Sequence, residues 1–202
     1  YGDVAPQILN LNMGAPFQPF SRAPQIRYRY KTGDIQITGA ALWQSQYLSQ
    51  GPEGKSQKYI KNSCVPEIYA GIDYKHKGLL IGAGIEMVSL TPRTQATVED
   101  KIYKVSERIT SLSYEVHMKY NSEKWLVAAK SVLGSNLTQT SMLGGYGIKS
   151  IDPRTGEQEY SPNRNSSSWI NIVYGKTWKP AIFFGYMKNL GTSDAVTNMY
   201  GT

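Results

Sequence analysis

In the segment from Pro66 to Leu90, PEIYAGIDYKHKGLLIGAGIEMVSL, apolar residues recur at every second position. One side of its first half carries the apolar set Ile68, Ala70, Ile72 and Tyr74. A turn at Lys75 to Gly78 then reverses the chain, and a second alternating run follows to Leu90. Such alternation predicts strands whose two faces meet different surroundings. Soluble sandwiches and membrane barrels both show it, so its length and repetition must separate them.

The same hairpin pattern recurs four times along the chain. The predicted strands are Gln25 to Tyr30, Ile35 to Leu48, Glu67 to Tyr74, Leu79 to Leu90, Arg108 to Tyr120, Trp125 to Leu133, Ser168 to Tyr174 and Ala181 to Asn189. The turns inside the hairpins are short and contain Gly, Asn, Asp or Pro, as hairpin turns require. The links between hairpins, such as 49–65, 91–107 and 134–167, are much longer. Short turns that alternate strictly with long loops are typical of outer-membrane barrels, whereas Greek-key sandwiches mix the two lengths.

The predicted strands also have the length and the aromatic ends that a membrane wall needs. Strands of about 9 to 11 residues flanked by aromatic girdles match a tilted crossing of the hydrocarbon layer. The predicted girdle residues are Trp43, Tyr47, Tyr74, Tyr120, Trp125 and Tyr174. We therefore predict an all-β fold, an antiparallel transmembrane β-barrel that forms a single domain over residues 1–202, located in the bacterial outer membrane.

The polar positions of these strands then face a water-filled lumen. The predicted pore-lining set is Arg27, Arg29, Gln36, Gln44, Gln46, Glu67, Asp73, Glu86, Glu115, His117, Lys119 and Lys130. Lys130 shares its predicted face with Ala128 and Val132, which makes that strand the least regular of the eight. Acidic and basic residues are equal in number in this set, so it predicts no ion selectivity.

Composition limits the other classes of function. The net charge of +7 first suggests a nucleic-acid partner. However, many of the lysines lie in or beside the short turns instead of along one groove, so no nucleic-acid partner is expected. Cys64 is the only cysteine, which excludes an intrachain disulfide. No run of the sequence reaches the 18 apolar residues of a membrane helix.

Two longer motifs carry a resemblance to a known family. The stretch GAPFQPFSRAPQIRY, Gly14 to Tyr28, and the later SSSWINIVYGKTWKPAIFFGYMKNLG resemble the outer-membrane porins of Bacteroidetes-type bacteria, similar in plan to the DcaP-like porins. The resemblance covers most of the chain and implies a barrel of about sixteen strands, often a homotrimer, with an inward loop that narrows the pore. The eight strands would then be part of a larger barrel. The start at Tyr1 and the absence of a terminal aromatic residue favour a fragment, and a small closed barrel of eight strands is the alternative.

Residues 1–24 are the candidate constriction loop. The part from Asp3 to Arg22 combines apolar anchors and prolines with a few polar side chains. Folded into the lumen, these polar residues would meet Arg27 and Arg29 across the pore. The predicted constriction residues are Asp3, Asn10, Asn12, Gln18 and Arg22. The alternative is an ordinary outer loop or the remnant of a strand.

The sequence therefore predicts a porin that lets small hydrophilic solutes diffuse passively, with outer-membrane lipid as its surroundings and with no catalytic group, cofactor or metal. One alternative is a plugged structural or adhesive barrel whose long loops, such as 134–167, bind an external partner. Another is a soluble β-sandwich or lipocalin-like carrier. Two minor candidates are a calcium site at Asp152, Glu157 and Glu159, and a hydrolase set of His117 with Ser111 or Ser113.

Overall fold

A computed structural model describes residues 4–8 and 14–201 of the chain. In chain order the elements are β1 (Gln25–Thr32), β2 (Ile35–Leu42), β3 (Gln50–Gly51), β4 (Gly54–Lys55), α1 (Lys58–Ser63), β5 (Glu67–His76), β6 (Leu79–Leu90), β7 (Gln95–Val98), β8 (Lys101–Lys104), β9 (Ile109–Asn121), β10 (Trp125–Ser135), a 3-10 turn (Thr138–Thr140), β11 (Tyr146–Ile151), β12 (Gln158–Pro162), β13 (Arg164–Tyr174), β14 (Ala181–Gly191) and β15 (Met199–Tyr200). Eight long strands form one sheet in the order β1-β2-β5-β6-β9-β10-β13-β14. The prediction of an all-β fold with eight antiparallel strands is confirmed.

Every long strand pairs with the next long strand along the chain, and all seven pairings are antiparallel. Short turns join β1 to β2, β5 to β6, β9 to β10 and β13 to β14, as the sequence predicts. Within the described residues the sheet does not close on itself, because β1 and β14 are its two edges and do not pair. These residues therefore do not form a closed barrel of eight strands.

The end of the second strand differs most from the prediction. The second strand ends at Leu42 instead of Leu48, so Trp43 and Tyr47 lie outside it. The backbone N–H of Trp43 donates to the carbonyl of Pro24 at 3.0 Å, and its ring packs beside an apolar core. The ring of Tyr47 meets Phe20 at 5.5 Å between centroids. The prediction that Trp43 and Tyr47 belong to this strand was wrong, and both rings pack locally beyond its end.

The two faces of the long sheet differ in chemistry, and we name them by their exposure. The exposed face carries large apolar side chains, among them Ile37, Ile72, Ile81, Val116 and Tyr120. The buried face carries polar and charged ones. Over the described residues, buried polar or charged side chains outnumber buried apolar ones, 26 to 17. This distribution is the reverse of an ordinary water-soluble domain, whose fully buried residues are mainly apolar.

Apolar packing closes the ends of the buried face. At the long-loop end, Tyr59 and Ile60 of α1 pack with Val88, Leu90 and Ile109 and with Tyr146. A second cluster joins Val4 and Phe17 of the amino-terminal segment to Ala128 and Trp169. The irregular strand around Lys130 has a cause in packing: Ala128 lies against the amino-terminal segment, and Val132 packs with Leu137 and Met142. In the described part of the chain, no helix is long and apolar enough to cross a membrane.

Candidate functional site

A continuous row of side chains crosses the middle of the buried face. Strand register places directly opposite one another the residues Gln36, Asp73, Gly82, His117, Lys130 and Trp169, from β2 through β13. The register therefore brings together residues that are far apart in sequence. Because facing positions in antiparallel strands lie within side-chain reach, this row can form one connected polar network.

Gly82 makes the central contact of the row possible. Asp73 on β5 and His117 on β9 are separated by β6, yet Asp73 Oδ1 lies 2.9 Å from His117 Nε2. A Cβ atom at position 82 would collide with both of these groups. The other oxygen of Asp73 accepts a hydrogen bond from Gln36 Nε2 at 3.2 Å. The missing side chain at Gly82 thus lets a carboxylate and an imidazole meet across a whole strand.

Glu115 is the most heavily partnered carboxylate of the site. The hydroxyl of Tyr69 donates to it at 2.7 Å, and Lys130 Nζ lies 3.1 Å from its second oxygen. His117 Nδ1 lies 3.6 Å from the first oxygen. The side chains of Glu115 and Lys130 are each only 1% exposed. A buried charge is tolerated only when it is paired and hydrogen-bonded, and Glu115 meets both conditions.

Tyr69 reaches Glu115 by lying flat across two glycines. A Cβ atom at Gly71 or Gly84 would collide with the Tyr69 ring or hydroxyl. These two glycines face each other on β5 and β6, and Gly84 faces Glu115 on β9. An aromatic ring that covers facing glycines fills the space that their side chains leave and stabilises the pair.

A second polar group lies nearer the long-loop end of the same face. Glu67 accepts a hydrogen bond from Gln44 Nε2 at 2.6 Å, and Gln44 Oε1 accepts one from the backbone of Ser49 at 2.9 Å. Glu86, on the next strand, is also buried. Gln44 lies beyond the end of β2, but its side chain folds back onto this face. Four acidic residues therefore lie on β5, β6 and β9, and Lys130 is the one predicted cation buried among them.

The remaining predicted residues are less enclosed. Arg27 and Arg29 lie opposite Ala40 and Thr38, so they share the face of the network, but on edge strand β1 they are exposed. Lys119 is half-buried, and Gln46 is exposed outside the strands. The signs of charge are thus partly separated across the sheet, with basic residues on β1 and acidic ones on β5 to β9. Whether any of these residues lines a pore stays a prediction.

The described part of the amino-terminal segment lies against the buried face of β13 and β14. Gln18 Oε1 accepts a hydrogen bond from Trp169 Nε1 at 2.9 Å, and the carbonyl of Phe17 accepts one from Ser167 at 2.9 Å. The ring of Phe17 lies over Gly185. Arg22 is exposed, with its guanidinium 5.7 Å from the centre of the Phe20 ring. The other predicted constriction residues, Asp3, Asn10 and Asn12, lie outside the described residues.

A further ionic centre at the long-loop end has no counterpart in the sequence predictions. Glu107 accepts hydrogen bonds from Arg93, from the hydroxyl of Tyr160 and from the backbone of Gln158, the last at 2.8 Å. Arg93 also donates to the carbonyl of Gly156 at 2.6 Å. Burial and the hydrogen bond to Glu107 raise the pKa of Tyr160, which keeps its hydroxyl a donor. This centre ties two of the long loops together. No spacing rule points to it, because its members are loop residues far apart in sequence.

The minor candidates are not assembled into sites. Asp152 bonds within its own turn, Glu157 accepts from the backbone of Ser106, and Glu159 accepts from Ser150. Over the described residues, no group of three or more metal-ligating side chains comes together. The hydroxyl of Ser113 bonds the backbone of Ser135, while His117 bonds Asp73.

Comparison with known proteins gives no relative: no protein-family model, no curated protein and no solved structure matches this chain.

Proposed function

We propose that the eight-stranded sheet is part of the wall of an outer-membrane porin, through which small hydrophilic solutes diffuse passively. The observation that carries the proposal is the inverted chemistry of the sheet. A membrane wall must present apolar residues to lipid and polar residues to the lumen. The exposed and buried faces of this sheet have that arrangement, along strands of 8 to 13 residues.

The aromatic residues of the exposed face support the same proposal. Tyr30, Tyr74, Tyr120, Trp125 and Tyr174 are all exposed and lie close to the short turns. Tyrosine and tryptophan favour the boundary between hydrocarbon and water, because one end of each side chain is apolar and the other polar. The row therefore fits one membrane boundary.

The open edges of the sheet indicate how the wall would be completed. Backbone groups that face hydrocarbon must all be hydrogen-bonded, so a membrane sheet has to close. Edge strands β1 and β14 leave one side of their backbone unpaired within the described residues. We propose that further strands of a longer chain pair with both edges, giving a barrel of about sixteen strands that assembles as a homotrimer. The resemblance to Bacteroidetes-type porins is consistent with this plan and stays a prediction.

A second function, a plugged structural or adhesive barrel, is favoured by one specific observation. Phe17 and Gln18 pack against the buried face of β13 and β14, and the charged groups at the centre of this face are paired with one another. A lumen filled in this way conducts nothing. Its long loops, tied together at Glu107, would then form the surface for an external partner.

Conductance in a planar bilayer tests the proposal. The experiment uses the longer chain that the proposal requires, in a Cys64→Ser background because Cys64 is exposed, with the substitution Thr38→Cys on the buried face. We expect discrete current steps that fall when a membrane-impermeant thiol reagent is added. Val116→Cys on the exposed face is the matched control, and its current should not change. Insertion without any current would favour the plugged barrel, and failure to insert would overturn both proposals.

A further inference from the structure

We propose that the buried face of β13 and β14 is a binding site for short peptides in which an aromatic residue precedes a glutamine. In this structure the chain's own Phe17 and Gln18 occupy the site. The proposal rests on the proposed function, since an external peptide reaches the buried face through the lumen. It adds a ligand class and places its site on the wall.

A missing side chain on β14 creates the aromatic part of the site. Gly185 lies directly opposite Trp169, and Phe183 lies opposite Asn171 on the same face. The ring of Phe17 covers Gly185, where an added Cβ atom would stand 2.6 Å from it. The ring centroids of Phe17 and Phe183 are 6.0 Å apart, and so are those of Trp169 and Phe183. The recess at Gly185 therefore has the room and the aromatic wall to hold one flat ring.

Two hydrogen-bond donors of β13 recognise the groups next to this ring. Ser167 Oγ donates to the backbone carbonyl of Phe17 at 2.9 Å, and Trp169 Nε1 donates to Gln18 Oε1 at 2.9 Å. Ser167 and Trp169 are 1% and 3% exposed, so both donors are enclosed. A buried donor left without an acceptor costs free energy. The site therefore favours a ligand with a ring, a backbone carbonyl and a neighbouring amide, and these are the features of a peptide.

The wall beside the site is uncharged along β13. Its buried residues are Asn165, Ser167, Trp169, Asn171 and Val173. The buried charged side chains of the same face lie on β5, β6, β9 and β10. An uncharged wall suits the neutral amide of Gln18, whereas a buried carboxylate needs a cation or several donors. The expected ligand therefore has glutamine, and not glutamate, after its aromatic residue.

The residues that occupy the site are not part of the sheet. Before β1, the described residues contain no helix or strand. Residues 14–18 form a turn of their own, in which the backbone N–H groups of Phe17 and Gln18 donate to the carbonyl of Gly14 at 3.0 and 3.1 Å. The hydrogen bonds from β13 to this turn come from side chains. Another peptide with the same turn can therefore replace it while the strand pairing of the sheet stays intact.

Binding of a labelled peptide tests the proposal. The probe is fluorescein-labelled GAPFQPF, which repeats residues 14–20, and the protein is the longer chain in detergent. The double variant Phe17→Ala, Gln18→Ala empties the site. Because a tethered occupant competes at an effective concentration on the order of millimolar, this variant should bind the probe about tenfold or more tightly than the wild type does. Fluorescence anisotropy measures both affinities, and the control peptide GAPAAPF should not bind the variant.

A second substitution locates the peptide on the wall. Gly185→Ala, added to the double variant, puts a methyl group into the recess and should remove most of the probe binding. Gly39→Ala is the matched control, since a Cβ atom at Gly39 meets no atom within 4 Å. Full binding to the Gly185→Ala protein would place the peptide elsewhere and overturn the proposal. Equal binding of GAPFQPF and GAPAAPF to the double variant would overturn it without depending on how well the Gly185→Ala protein folds.

Bilayer current separates this site from the function on which it rests. A probe that binds the double variant and blocks its current supports both. Current without any probe binding would overturn the peptide site and leave the porin standing. Probe binding in detergent without current in any variant would overturn the porin and leave the site on the wall of a plugged barrel. Neither binding nor current would overturn both.

Discussion

Alternate residues of the same strands, β5, β6 and β9, form two faces, and these faces have opposite relations to charge. On the buried face, Asp73, Glu115 and His117 are enclosed and bonded to one another or to Lys130. On the exposed face, Ile72 and Val116 are 50% and 57% exposed. The comparison teaches that the buried residues of these strands do not form an apolar core. The position of each polar residue is fixed by its partners, and the position of each apolar residue by what lies outside the sheet.

The largest expected effect comes from breaking the buried ion pair. Lys130→Met leaves Glu115 enclosed without its cation, and we expect a loss of about 3 to 5 kcal/mol in the free energy of unfolding. Denaturant titration of the reconstituted protein measures the loss. The control is Lys176→Met, which removes a lysine from the exposed pair with Glu123 and should leave stability unchanged. Equal stability of the two variants would mean that water reaches the buried face as readily as it reaches the turns.

The next effect tests the exposed face. Val116 lies near the middle of β9, and Val116→Arg should cost roughly 2 to 4 kcal/mol if this point stands at the bilayer midplane. The fraction of protein that folds into vesicles, read from the heat-dependent shift in electrophoretic mobility, measures it. Ile102→Arg is the matched control, because Ile102 is 70% exposed on β8, outside the long sheet. If both variants fold equally well, the face does not meet lipid.

A smaller effect tests the open position at Gly82, across which Asp73 on β5 contacts His117 on β9. Gly82→Ala places a methyl group between Asp73 and His117, and we expect a loss of roughly 1 to 3 kcal/mol from overpacking. Gly39→Ala is the control, since a Cβ atom at Gly39 meets no atom within 4 Å. The unfolding midpoints of the two variants give the comparison. A Gly82→Ala protein as stable as the control would show that the Asp73–His117 contact is dispensable.

The smallest effect concerns a polar spot on the exposed face. Ser131 and Ser168 share a hydrogen bond of 2.9 Å between their hydroxyl groups. Such a bond within a membrane is worth about 0.6 kcal/mol, so Ser131→Ala should reduce stability by that amount or less. Unfolding in vesicles measures the change against the wild type. A loss well above this would indicate that a protein surface, and not lipid, covers these residues.

Much of the fold could be predicted, because alternation and turn chemistry are local signals. They predicted the eight long strands, the hairpin partner of each and the face of most strand residues, including Lys130 despite its apolar neighbours. The end of β2 could not be predicted, since Trp43 packs against a cluster of residues from α1, β6, β9 and β11 that are distant in sequence. The link from Asp73 to His117 depends on register across three strands. The Glu107 centre depends on how two long loops meet. No local sequence pattern predicts either the Asp73–His117 contact or the Glu107 centre.

The open position at Gly82 also bears on how the sheet assembles. The neighbours of Gly82 on the same face of β6 are Leu80 and Gly84. If β6 paired two residues out of step in one direction, Leu80 would stand between Asp73 and His117 and keep them apart. The carboxylate and the imidazole would then be enclosed without each other, at the cost that unpaired buried polar groups carry. The contact therefore works as a check on alignment: the charged network can be completed in the native register and is blocked by that misaligned one.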